Sequence, residues 1–191
     1  MITRGFLETL VTDAKQPIND KLLEEIVSRQ EDASLQCPGV EAHYYRFFYR
    51  LTELMQPKLT VELGTHTGIS AACLASGYPT GTVITINNKD QLMSECKRSN
   101  VAYLIQDSLE LPYLPGKKID MLFIDTDHDG KRCLEEYKLY KNYMAENSVI
   151  FFDDIYLLDC METFWRNFIP ERGQKFELNI HGAAGMGAVL I

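Results

Sequence analysis

The chain has 191 residues, which is room for one domain of ordinary size. Hydrophobic residues make up 46% and charged residues 24%, the balance of a folded chain rather than a disordered one, and a chain of this length buries a core without a disulfide or metal staple. Nineteen Lys and Arg against 27 Asp and Glu leave a formal charge of −8. That argues against a broad basic face for nucleic acid and against attraction to anionic membranes, and it suits a small ligand, including a cationic one.

The opening residues, MITRGFLETLVTDAKQ, carry acids and no long apolar core, so no signal peptide is expected. No apolar run is long enough to span a bilayer. Cys37, Cys73, Cys96, Cys133 and Cys160 are odd in number and form no C-x-x-C pair. Reduced thiols in a cytoplasmic protein are expected, not a disulfide framework or a zinc site.

Residues 1–56 read as helical. Asn19 precedes DKLLEEIVSRQ, whose Leu22, Leu23, Ile26 and Val27 lie at helical spacing, with Asn19 as the expected cap. Pro38-Gly39 breaks the pattern, and a second helix, rich in Tyr and Phe, is expected from about Val40 to Met55, with Pro57 ending it. From Leu59 the texture changes. LTVELG reads as a strand and THTGISAACLASG as a helix; TVITIN is a strand, QLMSECKRS a short helix and VAYLIQ a strand. IDMLFID is the most apolar run and reads as a doubly buried central strand. GKRCLEEYKLYKNYM is an amphipathic helix, SVIFFDD a strand and CMETFWRNFI a helix; KFELNI and GAVLI close the chain as strands. Alternating strands and helices with short connections require a parallel sheet covered on both faces, because parallel strands need crossovers. The five residues from His181 to Gly185 are too few for a helical crossover, so the last two strands are expected as an antiparallel hairpin. The expected fold class is therefore α/β: a doubly wound, Rossmann-like, three-layer structure with a seven-stranded, mostly parallel sheet.

Five stretches carry chemistry. Glu62-Leu63-Gly64-Thr65-His66-Thr67-Gly68-Ile69-Ser70 joins the first strand to a helix, where glycines let backbone approach a ligand and the helix start offers free N–H groups. The dinucleotide spacing G-x-G-x-x-G is absent, and Glu62 would repel a pyrophosphate while tolerating a zwitterion or cation. Asn87 stands where ribose-binding folds place an acid, with Asn88 and Asp90 beside it. Gln106-Asp107-Ser108 follows the third strand, where an acid can accept from an adenine amino group; a turn or cap role for Asp107 stays open. Asp125-Thr126-Asp127-His128-Asp129 packs three acids and a histidine into five positions past a buried strand; Asp127 or Asp129 could instead cap the next helix. A histidine beside carboxylates suits base catalysis. Asp153-Asp154 ends the fifth strand, and with Asp125 it forms an oxygen-only set suited to Mg²⁺, Ca²⁺ or Mn²⁺. Trp165 reads as core, and the aromatic run Tyr44–Tyr49 as part core and part pocket roof.

With these residues in place the chain resembles the class I S-adenosylmethionine-dependent methyltransferases, from about Pro38 to Ile191. E-L-G-T-H-T-G-I-S looks like their first motif, and F-I-D-T-D-H-D-G resembles the D-G-D-H stretch of small bacterial methyltransferases. More distantly, it and the F-D-D step look like metal-dependent O-methyltransferases acting on catechols and caffeoyl thioesters. The resemblance implies that Glu62, Gly64, Thr65, Thr67, Gly68 and Ser70 line the methionine and ribose part of the cofactor, with Asn87 in the ribose position. It implies Asp107 and Ser108 at the adenine, and Asp125 facing both cofactor and metal. Asp153 and Asp154 would complete the metal set. His128 falls where those relatives carry a catalytic lysine, so His128 and Asp125 are the expected catalytic pair. The implied cofactors are S-adenosylmethionine and an oxygen-preferring divalent ion such as Mg²⁺. The implied partner is a small-molecule methyl acceptor, with O-methyl transfer as the reaction. Residues 1–191 would form a single domain, with 1–56 as lid or acceptor-recognition region and 57–191 as cofactor-binding core. No nucleic-acid or membrane partner is expected, and a homo-oligomer stays open. An NAD(P)-dependent oxidoreductase on a similar sheet and a non-catalytic cofactor-binding module are the alternatives.

Overall fold

In the computed structural model, residues 2–34, 44–110, 114, 116–180 and 182–191 are described. The expected start of the second helix at 40–43, together with Cys37, His43 and His181, lies outside them.

Among the described residues three helices precede the sheet: α1 (Arg4–Asp13), α2 (Lys21–Ser34) and α3 (Tyr44–Met55). The cap of α2 differs from expectation. Asp20, not Asn19, accepts from the Leu23 amide through its carboxylate (3.0 Å), and its own C=O takes the first helical bond, from Glu24. A carboxylate at this place also meets the positive end of the helix dipole, which an amide does not.

The chain then alternates β1 (Leu59–Leu63), α4 (Ile69–Gly77), β2 (Thr82–Asn87), β3 (Val101–Ile105), β4 (Ile119–Ile124), α5 (Gly130–Tyr140), β5 (Met144–Phe152), α6 (Asp159–Asn167), β6 (Gln174–Leu178) and β7 (Met186–Leu190). The helix expected at QLMSECKRS is only a 3₁₀ turn, Ser94–Cys96, with Cys96 its one buried residue; a segment with one apolar anchor gains too little from packing to extend. The sheet order is β3-β2-β1-β4-β5-β7-β6, with β1 to β5 parallel. The closing pair is antiparallel as expected, and β7 enters between β5 and β6, antiparallel to both.

Side chains alternate across the strands and sort into two cores. Met121, Phe123, Val149 and Phe151 face α1 to α4, whereas Leu122, Ile124, Ile150 and Phe152 face α5 and α6. On the first face Phe48 lies 4.5 Å from Phe123 and Phe47 5.8 Å from Phe151, ring centre to ring centre, so α3 is seated directly on β4 and β5. On the second, Trp165 is buried against Phe152. Gly77 lets α4 approach α3 closely, since a Cβ there would meet the Tyr49 carbonyl at 2.1 Å.

Candidate active site

Five parallel strands end at one edge, and a further backbone bond ties each strand-end loop to its neighbour. Gln106 N–H donates to the Asn87 carbonyl, Gly64 N–H to Ile86, Asp125 N–H to Leu63, and Asp153 N–H to Ile124, at 2.8 to 3.0 Å. The residues after β3, β2, β1, β4 and β5 therefore stand in one row. This is the edge at which open α/β sheets bind ligands, on either side of the point where strand order reverses, here between β1 and β4.

Gly64 makes the row possible. Its φ is +106°, and a Cβ there would lie 1.6 Å from the Asp125 carbonyl oxygen. Gly68 also holds a positive φ, at the start of α4. Beneath this loop, Glu62 is fully buried on β1 and accepts from the Thr85 hydroxyl, while the Thr85 and Thr65 hydroxyls lie 2.6 Å apart. Burial foremost pushes the Glu62 carboxyl up to about 8, and hydrogen bonds from Ser70 and Thr85 work against that rise.

Above the row is a cavity of about 480 Å³. Gly64, Asn87, Ser108, Asp125, His128, Asp153 and Asp154 line it, together with Tyr44 and Tyr45 of α3 and Gln30 of α2. The structure thus brings seven of the thirteen expected site residues to one cavity. Glu62, Thr65, Thr67, Gly68 and Ser70 do not line it; Glu62, Thr65 and Ser70 are buried in support of the loop. Asp107 does not line it either. Its carboxylate accepts from the Leu109 amide and from Arg132, and both hold its pKa down. Asn87 donates through its side chain to the Lys89 carbonyl at 2.7 Å.

Twelve lining residues are absent from the expected set, among them Gln106, Thr126 and Arg132. Arg132, on α5, reaches Asp107, Ser108 and the buried Glu136, whose other oxygen accepts from Thr126. Burial foremost raises the Glu136 carboxyl, and the hydrogen bonds from Ser108, Thr126 and Arg132 oppose it. Gln106 stood in a quoted motif beside Asp107, and strand alternation could have picked it out. No local signal marks Arg132.

At the β4 and β5 end, the His128 Nε2 lies 2.9 Å from Asp154 Oδ2 and 3.4 Å from Asp125 Oδ1. The ring N–H lines up with neither oxygen, so the contact is an ion pair shared between two carboxylates. Those carboxylates, Asp125 foremost, raise the imidazole to about 10, so the ring is cationic at neutral pH. Tyr44 and Tyr45 are buried over this end. Burial foremost, with the field of Asp153 and Asp125, keeps both phenols neutral. Asp129 caps α5 through the Lys131 amide, which settles one of the two capping alternatives.

The sheet order, the antiparallel β7 and the glycine loop after β1 agree with the fold that the resemblance to class I methyltransferases implies. Residues 61–155 match a family model described as a methyltransferase domain. The fold is shared with the O-methyltransferase TomG of Streptomyces achromogenes, involved in tomaymycin synthesis and solved with S-adenosylmethionine (17% identity, 100% of this chain and 99% of that one, TM-score 0.68). It is shared equally with an O-methyltransferase from Bacillus cereus in complex with S-adenosylhomocysteine (22% identity, 97% of each chain, TM-score 0.65). A third structure of the same fold is the S-adenosylhomocysteine-bound methyltransferase PaMTH1 of Podospora anserina (14% identity, 99% and 96%, TM-score 0.70). No curated protein matches the chain. Among the described residues no helix is long and apolar enough to cross a membrane.

Proposed function

We propose that the chain transfers a methyl group from S-adenosylmethionine to a hydroxyl oxygen of a small molecule. The observation that carries this reading is the row of strand-end residues Gln106, Asn87, Gly64, Asp125 and Asp153 beneath one cavity. Cofactor adenine and ribose would lie toward Gln106, Ser108 and Asn87, and the sulfonium toward Gly64 and Asp125. The O-methyltransferase descriptions of TomG and the Bacillus cereus protein support oxygen as the accepting atom.

Residues 1–56 supply the acceptor side on this reading, since Gln30, Tyr44 and Tyr45 come from α2 and α3. Together with 57–191 they form one domain, because α1 to α3 share a core with the sheet. In the transfer, the acceptor oxygen attacks the methyl carbon in line with the S–C bond. S-adenosylmethionine would supply the electrophilic methyl and depart as a neutral thioether, and a carboxylate of the edge would take the acceptor proton. The neighbouring carboxylates, Asp125 foremost, hold the His128 imidazole up at about 10, which supports a role through charge over the expected role of base.

Asp125, Asp153 and Asp154 have the oxygen chemistry of a Mg²⁺ site. The His128 ring, however, lies against Asp125 and Asp154, and among the described residues no group of three or more His, Cys, Asp and Glu is arranged to hold an ion. The residues as placed do not fit the ion.

Thermal-shift and calorimetric titrations test the reading. S-adenosylhomocysteine is expected to bind and raise the Tm while NAD leaves it unchanged. No response to millimolar S-adenosylhomocysteine overturns the reading, and a response to NAD instead favours the oxidoreductase. Binding without transfer of labelled methyl to any hydroxyl acceptor in a broad panel points to the binding module.

A further inference from the structure

The contact between His128 and Asp154 is built by unusual backbone. Both residues hold left-handed conformations, φ 51° and 52°, at the ends of the neighbouring strands β4 and β5. Residues with a side chain seldom adopt this region, and such strain persists where the surrounding structure enforces it. The two side chains meet at 2.9 Å, and the same ring nitrogen faces Asp125 at 3.4 Å. An oxygen-bound divalent ion would draw on these same two carboxylates, with oxygens within about 2.0–2.6 Å of itself. The imidazole already stands against both.

We propose that the His128 ring occupies the place a divalent ion would take between Asp125 and Asp154, so that this transferase works without metal. The proposal rests on the methyltransferase reading, because it assigns the occupant of that same site. A histidine on a left-handed turn then does by side-chain placement what other carboxylate-rich sites do by recruiting an ion. The ring is held by the fold and carries no exchangeable ligands, so it orients the two carboxylates without offering the acceptor an open coordination position.

The test is a calorimetric titration with Mn²⁺, on the full chain, with and without S-adenosylhomocysteine. Wild type is compared with His128→Asn, since asparagine tolerates a left-handed backbone while removing the ring. Wild type is expected to give no saturable Mn²⁺ heat at millimolar concentration, and its transfer activity to be unchanged by a chelator. His128→Asn is expected to bind Mn²⁺ at least tenfold more tightly, and the added change Asp125→Asn to abolish that binding. Saturable binding to wild type overturns the proposal, as does binding lost in His128→Asn, which would make the histidine a ligand. Equal absence of binding in both chains overturns it too, because the ring would then exclude nothing. Because Mn²⁺ is also titrated alone, a missing response to S-adenosylhomocysteine counts against the methyltransferase reading and leaves this comparison intact.

Discussion

At the scale of single residues, Gly64 sets the geometry of the site. The site needs the loop after β1 and the loop after β4 in van der Waals contact, and only a residue without Cβ permits that. A methyl group there would overlap the Asp125 carbonyl at 1.6 Å, with backbone on both sides and no flexible side chain to yield. The φ of +106° adds strain for any L side chain. Gly64→Ala is therefore expected to cost about 3 kcal/mol or more and to weaken S-adenosylhomocysteine binding at least tenfold, because relief comes only by parting Gly64 from Asp125. Urea unfolding and a cofactor titration check both effects. A loss of stability below about 1 kcal/mol would show that the loops are free to separate. The importance of this glycine was legible in the sequence, since a glycine ending a β-branched run before a helix is a recognisable pattern. That its neighbour in space is Asp125 was not, because the two meet across sixty residues of chain.

At the scale of elements, the placement of α2 depends on one buried cation. Arg46 of α3 is buried and pairs with Glu24 and Glu31 of α2, donating also to Ser28 at 3.1 Å. This cluster holds the helix that brings Gln30 to the cavity. Removing one partner of a buried ion pair leaves the others desolvated without compensation, which costs about 3–5 kcal/mol when burial is complete. Glu24 remains 24% exposed, so Arg46→Ala is expected at the lower end, about 3 kcal/mol. Limited proteolysis should then cut first within residues 21–34, and a variant that resists cleavage there as wild type does would remove the cluster from this role. Periodicity alone predicts α2 and α3 but not their clamp, since Arg46 sits in an aromatic run that marks the helix as buried and says nothing of its partner. The same limit explains Arg132 and Asp107, a charge pair from different elements. Asp107 reads from sequence as a ligand contact because it follows a strand end. In space the chain turns there, so Gln106 and Ser108 line the cavity and Asp107 reaches outward to α5. Strands, with their alternation and glycine ends, were legible; long-range charge pairing leaves no local pattern to read.

At the scale of the whole molecule, the sheet carries two cores that differ in composition and in the helices that close them. The first joins α1 to α4 to one face, and the second joins α5 and α6 to the other. Every central strand contributes alternate residues to both, so neither face can melt without exposing the apolar underside of the other. A single cooperative transition is the expected consequence, even though the helices before β1 lie outside the stretch matched to the methyltransferase family. The molecule carries its own reporter. Trp165, the one tryptophan, is buried in the second core against Phe152, with its indole N–H donating to Glu177 at 3.1 Å. Its fluorescence follows the α5 and α6 face, whereas far-ultraviolet circular dichroism also follows α1 to α3. Urea transitions recorded by the two probes are expected to coincide in midpoint and slope. If helical signal is lost at lower urea than tryptophan fluorescence, the leading helices form a separately melting lid, and residues 1–56 act as a hinged cover over the cavity rather than as part of its wall.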